Sequence, residues 1–453
     1  MIEKDNPKRK GIVNEVMEVI TEGNIKFTRL QFTDVNGFLK SVAISTRDLE
    51  NVLQSGQSFD GSSITGFGSI EESDMVIIPD PSTFKVIPWR KKERSTCRFL
   101  CDIYLPNGQR FEGDPRYVLY KVLKKCQKEG NYEFQCAPEL EFFFIEKDGN
   151  LRPTPIDMHG YFDYHPSDKT EDLRREIAEI SEKFDIIIEM AHHEVAKGQH
   201  EMDFKYDEAM KTADRTVTMK MLIKSVAARK GGVNATFMPK PFQFSNGSGM
   251  HVHQSLWSNG ENVFFSDDEE SGYLSKTALN FIGGQLKYAR EICAILASWP
   301  NSYKRLVPGY EAPVYVAWGF RNRSPLIRVP NFYKKKKAAR VEIRCPDPAG
   351  NIYLILAVLA YTGLLGIKDE MEPPEPTDLN VYELSHRQRI DLGITSLPES
   401  LGEALKELES SDVAKEALGE VIYDNFLKVK WEEWDAYRTQ VSEWEINRYL
   451  EKL

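Results

Sequence analysis

Residues 138–144 read PELEFFF, and how this stretch folds decides how the rest of the chain is organised. Glu139 and Glu141 stand two apart in a run that is otherwise aliphatic and aromatic. A strand sends alternate side chains to the same face. A strand here therefore projects Glu139 and Glu141 together and turns Leu140 and Phe142 into a core. Two like charges side by side beneath so much apolar surface cost free energy through repulsion and desolvation, and a cation held between them offsets that cost. An exposed edge strand with two solvated glutamates is the competing reading.

Working outward, HHEVAKGQHEMDF (192–204) has Gly198 to make a turn, which sets Glu194 and Glu201 on adjacent arms of a hairpin. NGSGMHVHQSL (246–256) is a glycine-broken loop entering a strand with His251 and His253 on one face. RVEIR (340–344) is a strand that places Arg340, Glu342 and Arg344 together. Collected, Glu139, Glu141, Glu194, Glu201, Glu342 and His251 are an oxygen-dominated set with one imidazole. Such a set suits Mg²⁺ or Mn²⁺ and suits zinc or copper poorly. Five carboxylates exceed what one Mg²⁺ takes from protein, so two or more ions are expected. Opposite them stand Arg305, Arg321, Arg323, Arg328, Arg340 and Arg344, whose guanidinium forks match phosphate and carboxylate oxygens. Any one of these arginines alone reads as a surface ion pair. Metals and arginines together describe a phosphoryl-transfer site. No GxxxxGK[ST] or GxGxxG is present, so a nucleotide must be held another way. Nor is there a serine elbow or a Cys–His pair.

In chain order, residues 11–23 read as an amphipathic helix. Asn36-Gly37 lies between two alternating runs over 27–44, a strong hairpin signal. Further strands are expected at 75–78, 83–88 and 98–104, giving a β-rich unit that ends near Asn107-Gly108. Inside it FDGSSITGFGSIEESDM (59–75) is a long Gly- and Ser-rich loop, of the kind that often carries function, and Asp60 is the acid it presents. Asp114-Pro115 opens a helix over 116–129. Other expected helices span 171–184 with Thr170 as N-cap, 207–230 and 276–299, with an Ile-rich strand at 185–190. A Pro-rich linker (Pro373, Pro374, Pro376) leads to closing helices, in which Trp431, Trp434 and Trp444 read as core or subunit packing. Lys334–Lys337 reads as a solvated loop beside a phosphate site. There is no internal repeat.

Composition bounds the rest. A chain of 453 residues with 41% hydrophobic and 28% charged content is an ordinary globular protein with ample core. Its net charge of −10 argues against nucleic acid or an anionic membrane as partner. The N-terminus lacks an apolar signal region, and the apolar run from Ile352 to Ile367 falls short of the ~20 residues a bilayer span needs. The six cysteines are scattered and show no zinc-ligand spacing. Reduced thiols and a cytoplasmic location follow.

NGSGMHVHQS (246–255) and NSYKRLVPGYEAP (301–313), with FDGSS (59–63), ELEFFF (139–144), HHEVAKGQHE (192–201), RNRS (321–324) and RVEIRCPDPAGN (340–351), follow one another in the order found in type I glutamine synthetases. The chain resembles that family from about residue 10 to its end, closest to the α subgroup. The resemblance implies an α+β fold: an N-terminal β-grasp domain (1–108), then a catalytic domain (109–453) with a curved antiparallel sheet and surrounding helices. It implies an ATP-dependent ligase that phosphorylates the γ-carboxylate of L-glutamate and lets ammonia displace the phosphate. It further implies twelve subunits in two hexameric rings with shared active sites.

By motif, one ion falls to Glu141, Glu194 and Glu201, and a second to Glu139, His251 and Glu342. Asn246, Gly247, Arg305 and Arg344 match glutamate contacts, and Arg323, Arg328 and Arg340 match phosphate contacts. Tyr206, His253 and Ser255 match nucleotide contacts. Asp60 from an adjacent subunit takes a proton from ammonium, Ser63 and Tyr161 complete that site, and Glu311 closes a flap over it. Ser69 stands where some feedback-inhibited members carry arginine, which argues against direct glutamine inhibition of that kind. Tyr382 matches the position adenylylated in the β subgroup, but its surroundings resemble the α subgroup, so no adenylylation is expected. Effectors such as 2-oxoglutarate and P-II-type proteins occur in related proteins. Two other readings compete: a ligase joining glutamate to a polyamine, and a catalytically silent scaffold.

Overall fold

The computed structural model describes residues 7–67, 74–147, 153–166, 168–320 and 322–453; Ser69 and Arg321 lie outside them. The Asn36-Gly37 hairpin forms, with Phe27–Thr33 antiparallel to Leu39–Ser45. Gly37 sits at φ +81°, and a Cβ there would lie 2.8 Å from the Cα of Asn351. Only glycine meets both demands. Asn351 Nδ2 donates to the carbonyls of Asp34 and Val35, each at 3.1 Å. Its Oδ1 accepts from Tyr353 N at 3.1 Å and so caps the buried helix Ile352–Lys368. One side chain thus ties the first hairpin to the helical core.

Phe27–Thr33 also pairs in parallel with Thr96–Tyr104, and Asp74–Pro79 and Gln57–Asp60 extend this six-stranded sheet. The sheet encloses a core of its own around Leu30, Ile77, Phe99 and Ile103. The strand expected at 83–88 shrinks to Lys85–Val86. Asp80 accepts from Ser82 N and turns Pro81–Thr83 into a short 3₁₀ segment instead. A short helix, Leu49–Ser55, joins this unit and was not foreseen.

An eleven-stranded sheet builds the larger part of the chain, and the opening stretch is its axis. Glu133–Lys147 pairs on one side with Gln199–Phe204, which pairs in turn with Ile188–His193. On the other side it pairs with Val252–Ser258, followed by Val341–Ile343, Ile327–Val329 and Trp318–Phe320. The strand is central, so the edge-strand reading fails. Leu140, Phe142 and Phe144 are fully buried on one face, where the Phe142 and Phe144 rings meet edge to face at 5.1 Å. Farther along the other face from Glu139 and Glu141, Phe143 and Ile145 join Ala196 and Phe242 in a small apolar cluster. Behind the inward face pack the helices Pro115–Gly130, Ala209–Arg229, Lys276–Lys287 and Ile352–Lys368.

Three expectations change. Thr170 is not a side-chain N-cap: it is helical and makes no cap hydrogen bond. Its hydroxyl donates to Asp168 at 2.5 Å and accepts from Arg174 at 2.9 Å. The helix expected over 276–299 stops at Lys287 and resumes only at Cys293–Leu296; in the interval Arg290 pairs with Glu403 and Glu407. The Ile-rich strand runs Ile188–His193 rather than 185–190. All six cysteines are buried and free. Among the described residues no helix is long and apolar enough to cross a membrane. Trp431 and Trp434 pack against the core, whereas Trp444 on the last helix is exposed.

Candidate active site

Strand register assembles the site. Glu141 lies opposite Glu201, and Glu201 opposite His192; one row along, Glu139 lies opposite Asp203. Across the other side, His253 lies opposite Glu342, and Glu342 opposite Arg328. The result is a cavity of about 290 Å³ with acids on its floor and arginines on its rim.

The acids are not equivalent. Glu139 is bracketed by histidines, with Oε2 2.7 Å from His251 Nδ1 and Oε1 2.7 Å from His253 Nε2. Burial opposes its ionisation, yet the His253 charge and both hydrogen bonds hold its carboxyl well below the usual range. Glu342 sits between guanidinium groups, 2.7 Å from Arg328 Nη1 and 3.2 Å from Arg344 Nε, with His251 Nδ1 at 3.7 Å. Glu141 accepts from Gln199 Nε2 at 2.8 Å and from Gly249 N at 2.9 Å. A Cβ on Gly249 would come within 2.5 Å of Arg305 Nη2 and 3.2 Å of Glu141 Oε1, so glycine is what lets that main chain reach the carboxylate.

Among the described residues three further acids have no lysine or arginine paired with them, and His192 lies near two of them. Burial, then the Glu141 charge, pushes Glu201 up to about 10 and Glu194 to about 7. Burial, then Glu201, pushes Asp203 to about 9. Glu201 Oε1 lies 3.1 Å from His192 Nε2, and His192 Nδ1 lies 3.1 Å from the His193 carbonyl. A pocket that forces carboxylic acids to keep their protons near neutrality has the donor set for divalent cations, which would displace those protons.

Among the residues lining the cavity, donor atoms form two groups within 4.8 Å: Glu139 with His251 and Glu342, and His192 with Glu194 and Glu201. The first is the expected trio. The second brings His192 to Glu194 and Glu201; Glu141, expected with those two, lines the same cavity, with its Oε2 accepting from Gln199 and Gly249. Each group can hold one ion, and the oxygen-rich donor sets fit Mg²⁺ or Mn²⁺.

Among the arginines, Arg305 is less free than expected. Its Nη1 donates to the Cys345 and Pro346 carbonyls at 2.8 and 3.2 Å, and its Nη2 to the Arg344 carbonyl at 3.0 Å. It still lines the cavity, as do Arg323, Arg328 and Arg344. Arg340 Nε lies 3.3 Å from His253 Nδ1. Over the mouth, Asn246 Nδ2 donates to Glu311 Oε2 at 3.2 Å, and Glu311 occupies the left-handed region at φ +57°. Lys240 Nζ lies 3.8 Å from the centre of the Tyr310 ring. Gly247 and Tyr161 line the same cavity, and Tyr161 stacks on Phe162 at 4.0 Å.

Other expected residues are not gathered here. Asp60 and Ser63 belong to the N-terminal unit and do not line the cavity; Asp60 Oδ1 accepts from Ser62 N at 2.8 Å. Tyr206 is half-exposed, with its ring 6.4 Å from Trp257. Ser255 accepts from Trp257 Nε1 at 3.0 Å. Neither lines the acid floor. His192, Gln199 and Asp203 were missed. Their signal was present in HHE and QHEMD, but only the pairing of Glu201 with His192 and of Asp203 with Glu139 aligns them.

The glutamine synthetase β-grasp domain matches residues 24–106 and the glutamine synthetase catalytic domain matches residues 112–449. A glutamine synthetase of Methanosarcina mazei is 48% identical, over 97% of this chain and 98% of that protein. One of Methanocaldococcus jannaschii is 47% identical over the same shares. A solved GmaS–ADP complex is 31% identical with a TM-score of 0.87, covering 96% of this chain and 99% of that one. Two matched domains in order, near-full-length identity and an acid–arginine pocket at the sheet axis lead to one conclusion: the chain belongs to the type I glutamine synthetase family, ATP-dependent ligases that join glutamate and ammonia into glutamine.

Proposed function

We propose that this ligase chemistry is carried by two Mg²⁺ or Mn²⁺ ions and the residues around them, in a chain divided into a β-grasp domain (1–108) and a catalytic domain (109–453). Glu139, His251 and Glu342 hold one ion. Glu141, Glu194 and Glu201 would hold the other, with His192 beside them. The observation that carries this reading is the pair of donor groups on one floor, where burial and the neighbouring Glu141 charge raise the carboxyls of Glu201 and Glu194.

Bound there, the ions supply charge neutralisation for the transferring phosphoryl group. Arg323, Arg328 and Arg340 grip the phosphates, and Arg305 and Arg344 orient the carboxylates of glutamate beside Asn246 and Gly247. Tyr206, His253 and Ser255 bind the nucleotide; the ADP held by a chain of this fold supports that placement. The γ-carboxylate attacks the terminal phosphorus, giving γ-glutamyl phosphate and ADP. Asp60, supplied by a neighbouring copy, takes the proton from ammonium. Ammonia then attacks the acyl carbon and phosphate leaves. Ser63 and Tyr161 hold the ammonium, and Glu311 closes the mouth against water.

A protein working in this way is cytoplasmic and a dodecamer of two hexameric rings, without adenylylation at Tyr382. The position of Tyr382 fits that last point: its hydroxyl donates to the Ala312 carbonyl at 2.9 Å and is partly buried. Ser69, which bears on glutamine feedback, lies outside the described residues.

Equilibrium dialysis with Mn²⁺ tests the reading. Two ions per chain are expected, and Glu201→Gln should remove one of them. One ion in the unaltered protein, or two in Glu201→Gln, would overturn the assignment. Asp60→Ala should weaken ammonium use while sparing acyl-phosphate formation, and equal loss in both half-reactions would refute its role.

A further inference from the structure

Behind Glu194, on the side away from the cavity, lies an internal set of polar groups that the reaction does not use. The His193 side chain is fully buried and sits between two acceptors. Its Nδ1 is 2.7 Å from the Glu194 main-chain carbonyl, and its Nε2 is 2.9 Å from Asp157 Oδ1. Both ring nitrogens therefore donate. Asp157 Oδ1 also accepts from Gly198 N at 3.1 Å. Asp157 thus grips the turn at one end while His193 grips it at the other. The turn is closed internally by Glu194 N donating to the Gln199 carbonyl at 2.8 Å, and by Gln199 N donating to the Ala196 carbonyl at 2.9 Å.

The set extends inward through His200, which is fully buried with its ring 4.7 Å from that of His193. Arg174 Nη1 lies 3.0 Å from His200 Nδ1, and Arg174 Nη2 lies 2.8 Å from Asp168 Oδ2. A guanidinium only donates, so His200 Nδ1 accepts and the ring hydrogen sits on Nε2. That Nε2–H is aimed at Asp157 Oδ2, 3.9 Å away, and both atoms are buried without another partner. Asp157, His193 and His200 are close enough to be taken for a metal site. The Arg174 contact rules against it, because a metal at His200 Nε2 would turn an Nδ1–H toward the guanidinium.

We propose that His193, braced by Asp157, is a positioning residue for the ion-binding carboxylate of Glu194. By donating to the Glu194 carbonyl, it fixes the peptide from which that carboxylate projects toward His192 and Glu201. Glu194 has little else to aim it: its carboxylate accepts from the neighbouring Val195 N at 3.0 Å, and His192 Nδ1 lies 3.6 Å away. Groups that orient ligands from behind cost 10–100-fold in metal affinity when removed. The inference rests on the proposed two-ion reading.

Full-length His193→Asn, His193→Leu, Asp157→Asn and Glu201→Gln are compared by Mn²⁺ dialysis and by melting without metal. Asn places an amide donor where His193 Nδ1 stands, so His193→Asn should keep Mn²⁺ affinity within about threefold of the unaltered protein. His193→Leu should weaken one of the two ions by about 10–100-fold and leave the other unchanged, with glutamine formation recovering at saturating Mn²⁺. Asp157→Asn should fall between them. Equal affinity loss in His193→Asn and His193→Leu, tracking a common drop in melting temperature, would reduce His193 to packing and overturn the proposal. So would normal binding of both ions by His193→Leu, or a tightly held zinc lost in Asp157→Asn. If Glu201→Gln itself binds two ions, the two-ion reading fails whatever His193 does.

Discussion

At the junction of the two sheets, the buried side chain of Arg116 meets Asp102 at 2.7 Å, Asp80 at 2.8 Å and Asp214 at 3.0 Å. Arg110 adds a second cation to Asp102 at 2.7 Å, and the Tyr353 hydroxyl donates to Asp214 at 2.7 Å. Burial opposes ionisation of Asp80, yet the Arg116 charge and hydrogen bonds from Ser82 and Arg116 leave its carboxyl below the usual range. Around the cavity, by contrast, its lining acids Glu201 and Glu194 and the adjacent Asp203 are buried against other acids and pushed up to about 10, 7 and 9. The first cluster brings its own counter-charges and fastens the N-terminal sheet to the helices Pro115–Gly130 and Ala209–Arg229. The second lacks them. Buried charge that is compensated within the chain holds a fold together, and buried charge left uncompensated marks where a cation and a substrate belong.

Removing one charged side chain from each region should expose the difference most sharply. Glu342→Ala should lose glutamate-dependent phosphate release by at least ~10³-fold, upward of about 4 kcal/mol in barrier, with an unchanged far-UV dichroism spectrum. Retained turnover would erase the distinction. Arg116→Ala should do the reverse, costing about 3–5 kcal/mol of stability by removing the cation shared by three partly buried carboxylates, while activity per folded chain holds. A denaturant titration reads the first effect and an active-site titration the second.

The clusters should also respond oppositely to pH. The Asp80 pKa is depressed, so its contribution to stability is present above the ordinary carboxylate range and is lost as pH falls. The pKa values of Glu194 and Glu201 are raised. The folded metal-free chain therefore holds protons that the unfolded chain has released, and stability declines as pH climbs toward about 7 and then about 10. Mn²⁺ replaces those protons, so its stabilisation, ~2.7 kcal/mol at a hundredfold excess over Kd, should be larger near about pH 8.5 than near about pH 6. A thermal shift independent of pH would contradict the protonated state of these acids. The smallest effect belongs to Asp203→Asn, which mimics the protonated acid and should change metal-free stability by less than about 1 kcal/mol. A larger loss would place Asp203 among ionised groups instead.

Much of this was legible in residue order. The alternation of PELEFFF gives the acid face and the phenylalanine face directly, and Asn36-Gly37 gives the first hairpin. The donor trio Glu139, His251 and Glu342 follows from strand patterning once the resemblance is in view. What stayed hidden depended on partners distant in sequence. Thr170 looks like a helix cap until Asp168 and Arg174 claim its hydroxyl. Residues 276–299 look like one helix, yet the helix breaks in the interval where Arg290 pairs with Glu403 and Glu407. Arg305 looks like a free guanidinium until three main-chain carbonyls surround it.

By itself the sequence determined which side chains share a face, since strand and helix periods are local properties of the backbone, and it determined that acids and arginines are present in the numbers phosphoryl transfer requires. Only the tertiary structure decided the register between strands. Register slips His192 into line with Glu201 and Asp203 into line with Glu139, sets Asp157 behind the turn, and buries the whole group beneath the same sheet. The charge state of these acids follows from that burial and that proximity, which arise only when distant strands close on one another.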